Sequence, residues 1–245
     1  MLYQVIDLSS RKPPHYVLEA IAELIAGEAV LSDNPGDVVR KWRVFYGLSL
    51  TDLAKLMKVS SSTVSDYERG RRLPGRAYLK KFVNALFKHD EHRDWVITRN
   101  LSKQLGLYVE GIVDKGDFIR EVSLDDFIQL TESIVLTPIV DQVYLRGYVI
   151  VDSVKSIESM TTGEHYRLLS MGFDRAVIFT NITRGRSVMV ATRVSPLKPR
   201  LVVLHGVKNI DPLAIRISEL ENIPLLVTTL DLEETMSRLK KIKLA

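Results

Sequence analysis

Apolar residues between positions 15 and 31 fall at Val17, Leu18, Ile21, Leu24, Ile25 and Ala29, a spacing of three and four that predicts a helix with one greasy face. Ser32-Asp33-Asn34-Pro35 ends it, and a second helix is expected over about 36–46 with Val39, Trp42 and Tyr46 inward. Two short helical stretches follow, one carrying Leu53 and Ala54 inward, the other Val64 and Tyr67. After Pro74-Gly75 the period resumes with Leu79, Phe82, Val83, Leu86 and Phe87 on one face. From Val143 onward the pattern changes to short continuous apolar runs, VYLRGYVIV, AVIFT, LVVL and LLVT, separated by helical segments. Those segments carry their own start signals: Thr161 with Glu164 as a capping box, Asp211 before Pro212, and Asp231. Strand and helix in alternation imply a largely parallel sheet flanked by helices.

The expected fold class is therefore multidomain, α plus α/β: an N-terminal all-α bundle and a C-terminal α/β domain with a mostly parallel sheet. The boundaries read as an N-terminal strand (MLYQVIDL) and amphipathic helix over 1–32, a helical domain over 33–90, a connector over 91–140 and the α/β domain over 141–245. The connector is expected to hold a strand near Phe118 and a helix opening at Ser123. Two uses are open for the greasy face of the first helix: packing on the neighbouring domain, or a dimer contact.

The stretch 49–70, SLTDLAKLMKVSSSTVSDYERG, carries the functional signal. Ser49 can cap one helix with Asp52 three positions on, and Leu48 and Leu53 stand where a hydrophobic staple would sit. Ser60 repeats the cap, with Val59 and Val64 as a second staple, and Gly70 closes the second helix. Two helices of about two turns joined only by Lys58 and Val59 must cross steeply, which is the helix-turn-helix arrangement of DNA readers. With Val64 and Tyr67 inward, Ser61, Ser62, Ser65, Asp66 and Arg69 form the outward face.

Charge sharpens this. The chain has 34 Lys and Arg against 30 Asp and Glu, a net charge of only +4. Residues 33–90 hold twelve of those bases and six of the acids, a local balance of +6 against −2 elsewhere. Residues 69–81 contain six basic side chains and no acidic one, directly after the second helix of the pair. That placement favours phosphate contact over a merely solvated face, with Ser49, Arg69, Arg71, Arg72, Arg76 and Lys80 as the candidates.

Residues 39–86 resemble the lambda-repressor/Cro-like helix-turn-helix family, also called the xenobiotic-response-element type. The matching residues are Gly47-Leu48-Ser49, Leu53-Ala54, Val59-Ser60, Val64, Tyr67, Glu68, Gly70 and Pro74, without a gap. The whole chain looks like a group of archaeal transcriptional regulators in which such a domain precedes an α/β domain. The resemblance implies that Ser61, Ser62, Ser65 and Asp66 lie in the major groove and that Arg43 pairs with Glu68, a structural pair joining the first helix of the domain to the end of the recognition helix. Serines reach poorly and discriminate weakly among bases, so water and DNA shape would carry much of the readout. Asp66 either accepts from a cytosine amino group or pairs with a neighbouring arginine. Two positions depart from the family: Leu50 stands where a glutamine often contacts phosphate, and Lys58 where glycine is common.

In the α/β domain, three polar loops gather beyond the carboxyl ends of the strands, where open parallel sheets bind ligands. They offer Thr180, Asn181, Thr183, Arg184, Gly185, Arg186 and Ser187, then His205 and Asp211, then Thr228 and Thr229. The first suits a small anionic effector, or is a surface hairpin between AVIFT and SVMVATRV. Parts of this domain are similar to the small α/β effector domains found beside phosphotransfer and CBS-type sensor modules.

Catalytic motifs are absent: no G-x-x-x-x-G-K-[ST], G-x-S-x-G or HExxH occurs, and there is no cysteine. His205 with Asp211 could form an acid–base pair, but a loop histidine before an N-cap aspartate has an ordinary structural account. His89 and His92 flank an acidic pair without the further ligands a metal site needs. No cofactor and no metal is expected. Lack of cysteine, of a secretory signal and of a membrane-length apolar run leads to the expectation of a soluble, cytoplasmic protein that does not enter the membrane. The sequence reads as a transcriptional regulator binding double-stranded DNA at a palindromic operator as a homodimer, modulated by a small anion. The alternatives are a nucleotide-handling enzyme and a non-specific architectural DNA-binding protein.

Overall fold

The computed structural model describes residues 12–138 and 142–242. The first expected strand, MLYQVIDL, lies outside the described residues. The chain divides after Tyr108 into two compact units.

The first unit is helical: α1 (His15–Leu31), α2 (Pro35–Phe45), α3 (Leu50–Met57), α4 (Ser61–Glu68), α5 (Arg76–Glu91) and α6 (Val96–Gln104). Its core is the set the periodicity points to, with Val39, Tyr46, Leu53, Val64, Phe82 and Leu86 buried. The greasy stripe of α1 is narrower than expected. Tyr16, Val17, Ile21, Ile25 and Ala29 are buried against α2, α5 and α6, whereas Leu24 stays 41% exposed. Tyr46 joins the core through its hydroxyl, 3.3 Å from Thr98 Oγ1, and burial pushes its phenol up to about 12.

Residues 91–140, read as a connector, are divided between the two units. In the first part, Asp90 joins α5 to α6. Its buried carboxylate accepts from the backbone N–H groups of Ile97 (3.1 Å) and Thr98 (2.7 Å), and so caps α6 from the end of α5. A capping signal at a distance of seven residues, across a turn with Asp94 and Trp95 at positive φ, has no local sequence pattern.

In the second unit, β1 (Ile112–Ser123), α7 (Leu124–Thr131), β2 (Ile134–Val135), β3 (Tyr144–Asp152), α8 (Ser153–Ser159), α9 (Thr162–Met171), β4 (Arg175–Thr180), α10 (Arg186–Val194), β5 (Leu201–His205), α11 (Pro212–Glu221), β6 (Leu225–Thr228) and α12 (Leu232–Ile242) build a six-stranded sheet of order β1-β3-β4-β5-β6-β2. The four central strands are parallel and the two edges antiparallel. Ile150, Ile178, Val203 and Leu226 stand in one row and point into a core closed by Phe127 of α7 and Leu239 of α12. The adjacent row, Val149, Val177, Val202 and Leu225, is equally buried. Burial on both faces explains why these strands read as unbroken apolar runs. Ser123 caps α7 by accepting from Asp126 N–H at 3.1 Å, and Thr161 and Glu164 form the expected reciprocal box on α9.

One expectation fails here. SVMVATRV is not a strand, so the loop before it is no hairpin: the segment is α10, with Val188, Met189 and Thr192 buried one helical turn apart. Its β-branched content suggested a strand, yet Gly185 at φ +80 starts a helix, and tertiary packing overrides a weak propensity.

Candidate nucleic-acid interface

Four consecutive helix ends set the geometry of the α3–α4 pair. Ser49 Oγ accepts from Asp52 N–H at 3.1 Å and donates its proton to the Asp52 carboxylate at 2.6 Å. Aspartate is one methylene shorter than the glutamate of a full capping box, and here it holds the cap hydroxyl. With its proton so held beside a carboxylate, Ser49 acts as a cap in this structure. Ser60 accepts from Thr63 N–H at 3.1 Å and lies 2.8 Å from both the Ser62 and the Thr63 hydroxyls. Leu48 and Leu53 are buried, as is Val64, with Val59 half-buried.

Between the helices, Lys58 takes the left-handed conformation (φ 57°, ψ 49°), and Val59 N–H reaches back to the Ala54 carbonyl at 3.0 Å. Gly70 closes α4 in the same way, at φ +71, with Arg71 N–H on the Asp66 carbonyl at 2.9 Å. The sequence departs from glycine at Lys58, but the backbone does not. Lys58→Gly is therefore expected to stabilise the unit by about 0.5–1 kcal/mol, the left-handed penalty less the added freedom of the unfolded chain. Urea unfolding followed by tryptophan fluorescence checks this.

Two contacts fix α4 to α2. Arg43 Nε and Nη2 bond both Glu68 oxygens at 2.6 and 2.9 Å, while Nη1 reaches the Leu48 carbonyl at 2.7 Å. One guanidinium thus ties α2, the entrance of α3 and the last turn of α4. Both side chains are nearly buried, 11% and 7% exposed. Hydrogen bonding to Glu68 raises the Arg43 pKa, with burial opposing. The second contact is Gly36, where any β-carbon would lie 2.4 Å from the Tyr67 carbonyl oxygen and 2.9 Å from that of Glu68. This close approach was not read from the sequence, where the glycine after Pro35 looks like an ordinary helix start. Tyr67 stacks on Tyr78 of α5 with ring centroids 3.8 Å apart, completing the support of α4.

Held in this way, α4 leaves Ser61 and Ser62 exposed and Ser65 and Asp66 half-buried, with Arg69 exposed at its end. Arg71, Arg72, Arg76 and Lys80 are all exposed in the segment that follows. Asp66 reaches toward two of them, with Oδ1 3.5 Å from Arg71 Nη1 and Oδ2 3.7 Å from Arg72 Nε.

A helix-turn-helix family profile matches residues 39–91, which spans this assembly. Over 224 residues the chain is 39% identical to a protein of Archaeoglobus fulgidus described as an uncharacterized HTH-type transcriptional regulator, covering 91% of this chain and 97% of that one. A second HTH-type transcriptional regulator, from Methanocaldococcus jannaschii, is 37% identical over 231 residues, covering 92% and 96%. The chain belongs to this family of HTH-type transcriptional regulators. No solved structure matches it.

The α/β unit of this regulator holds the three loops singled out as a ligand site, and most of their polar groups are engaged in holding the fold. Asp211 caps α11 through Leu213 N–H (3.0 Å) and accepts from Arg186 Nε (2.9 Å), while its own N–H bonds the Arg184 carbonyl (2.9 Å). The Leu213 N–H first, then the Arg186 guanidinium, hold the Asp211 carboxyl below its usual range, against the effect of burial. Asn181, at φ +54, donates to Asp152 at 3.0 Å. Thr180 donates to the Val151 carbonyl and Thr228 to that of Thr131. His205 Nε2 lies 2.8 Å from the Leu230 carbonyl, so His205 and Asp211 are each engaged apart from the other. Thr183, Arg184, Ser187 and Thr229 remain exposed. The parallel strands run β3-β4-β5-β6 in sequence order, with no reversal of the kind that opens a ligand crevice. Among the described residues no group of three or more histidines and carboxylates could hold a metal ion, and no helix is long and apolar enough to cross a membrane.

Proposed function

We propose that this regulator binds double-stranded DNA in a sequence-dependent way as a homodimer, with α4 in the major groove and the following basic segment on the phosphates. The observation that carries the reading is the pairing of a rigidly held α4, fixed through Arg43–Glu68, with an exposed face of Ser61, Ser62, Ser65 and Asp66. Arg69, Arg71, Arg72, Arg76 and Lys80 supply affinity and register, and the α4 face supplies base choice. Three short hydroxyls on that face favour water-mediated and shape readout over long bidentate contacts.

Two-fold pairing of protomers predicts half-sites one helical turn apart, about 34 Å. Hydroxyl-radical footprinting together with the mass of the complex tests this. Two protected patches at that spacing with two protomers bound support the dimer reading; one patch with one protomer removes it. Control by a small anion at the 180–187 loop would have to displace contacts already made there, because Asn181 donates to Asp152 at the end of β3 and Arg186 to Asp211 at the start of α11.

A further inference from the structure

We propose that Asp66 is a counter-ion built into the DNA-reading face: it holds Arg71 and Arg72 when no DNA is bound and makes their release to phosphate depend on the base pair beneath it. This rests on the reading of α4 as the groove-entering helix. Asp66 is the one acidic side chain on the outward face of α4, where a carboxylate opposes phosphate. Its two oxygens are nevertheless directed toward two separate guanidinium groups, at 3.5 and 3.7 Å. The backbone makes this geometry recurrent, because the Asp66 carbonyl accepts from the N–H groups of both Arg71 (2.9 Å) and Arg72 (3.3 Å). The turn at Gly70 thus brings both arginine stems back over the last turn of α4, whatever their side chains do.

Each partner keeps access to water, with Asp66 28%, Arg71 66% and Arg72 57% exposed, so the contacts are screened and exchangeable. A phosphate can replace the carboxylate at either arginine. The exchange leaves Asp66 in the groove with no cation, which is unfavourable over most base pairs. Over a cytosine the N4 amino group can donate to it and restore its partner. Asp66 therefore lowers affinity for DNA in general and spares the sites that offer a donor, which is discrimination by penalty on the wrong sequence.

The test uses the full chain and two duplexes of equal length and composition, one selected from genomic fragments and one scrambled, with affinity measured by fluorescence anisotropy at fixed salt. Asp66→Asn is expected to bind the scrambled duplex about two- to fivefold tighter, the scale of one screened charge pair, without tightening the selected one. Asp66→Glu, which keeps the charge, is expected to stay closer to the native preference. Combined with Arg71→Ala and Arg72→Ala, the gain from Asp66→Asn is expected to shrink, because only the unpaired carboxylate in the groove is then relieved and no ion pair has to be broken. Equal tightening on both duplexes, loss on both, or a full gain that persists without the two arginines would each overturn the proposal while leaving sequence-dependent binding intact. Failure of the native chain to bind either duplex would instead overturn the reading it rests on.

Discussion

Replacing Arg71 and Arg72 together by alanine is expected to weaken binding to every duplex, selected or scrambled, by about 10- to 100-fold, the scale of two charge-assisted hydrogen bonds in part screened by solvent. The dependence of log affinity on log salt should become shallower by about 2, one unit for each phosphate contact removed. The preference for one duplex over the other should survive in the part carried by Ser61, Ser62 and Ser65, because phosphate contacts position a protein without reading bases, and should lose only the about two- to fivefold share that Asp66 exerts through these arginines. Both arginines are exposed, and their backbone N–H groups alone hold the turn after α4, so the fold should be unaffected. Titrations at three salt concentrations separate these outcomes. An unchanged slope would take both residues off the DNA backbone.

Arg43→Ala is expected to cost about 3–5 kcal/mol of stability, the scale for removing one partner of a buried ion pair. The change strands the Glu68 carboxylate at 7% exposure and leaves the Leu48 carbonyl without its guanidinium donor. Glu68→Ala strands the arginine instead and should cost a similar amount. Arg43→Met with Glu68→Leu should recover most of the loss, because a buried pair is replaced far more cheaply than it is broken. Both tryptophans of the chain, Trp42 and Trp95, are buried in the helical unit, so fluorescence-monitored urea unfolding reports on that unit alone. A loss below about 1 kcal/mol for Arg43→Ala, the range of an exposed pair, would mean that Arg43 does not lock α4 in solution.

Most of the geometry of the α3–α4 pair was legible because its determinants are local. Ser49, Ser60 and Gly70 announce helix ends within three or four residues of themselves, and Val64 and Tyr67 assign the inward face of α4 by period alone. The Arg43–Glu68 contact spans 25 residues and came from the family resemblance rather than from spacing. Features that depend on distant backbone stayed hidden. Gly36 is required by carbonyls of Tyr67 and Glu68, more than thirty positions away, and Asp90 caps a helix it does not precede. In the α/β unit the strands were readable as apolar runs, while β2 is only two residues long and exposed, too short for any pattern. The loop residues Thr180, Asn181, Arg186, His205, Asp211 and Thr228 looked like a converging polar site because sequence shows which groups are polar but not which already have partners.

The most direct measurement is repeated selection of genomic DNA fragments by the purified chain, run in parallel with a chain carrying Ser61, Ser62 and Ser65 changed to alanine. The expected result is a recurrent sequence with two-fold symmetry enriched by the native chain and lost or altered with the variant, bound with a steep salt dependence. Enrichment of the same sequence by both chains, or of none by the native chain, would contradict the assignment of α4 as the element that reads DNA.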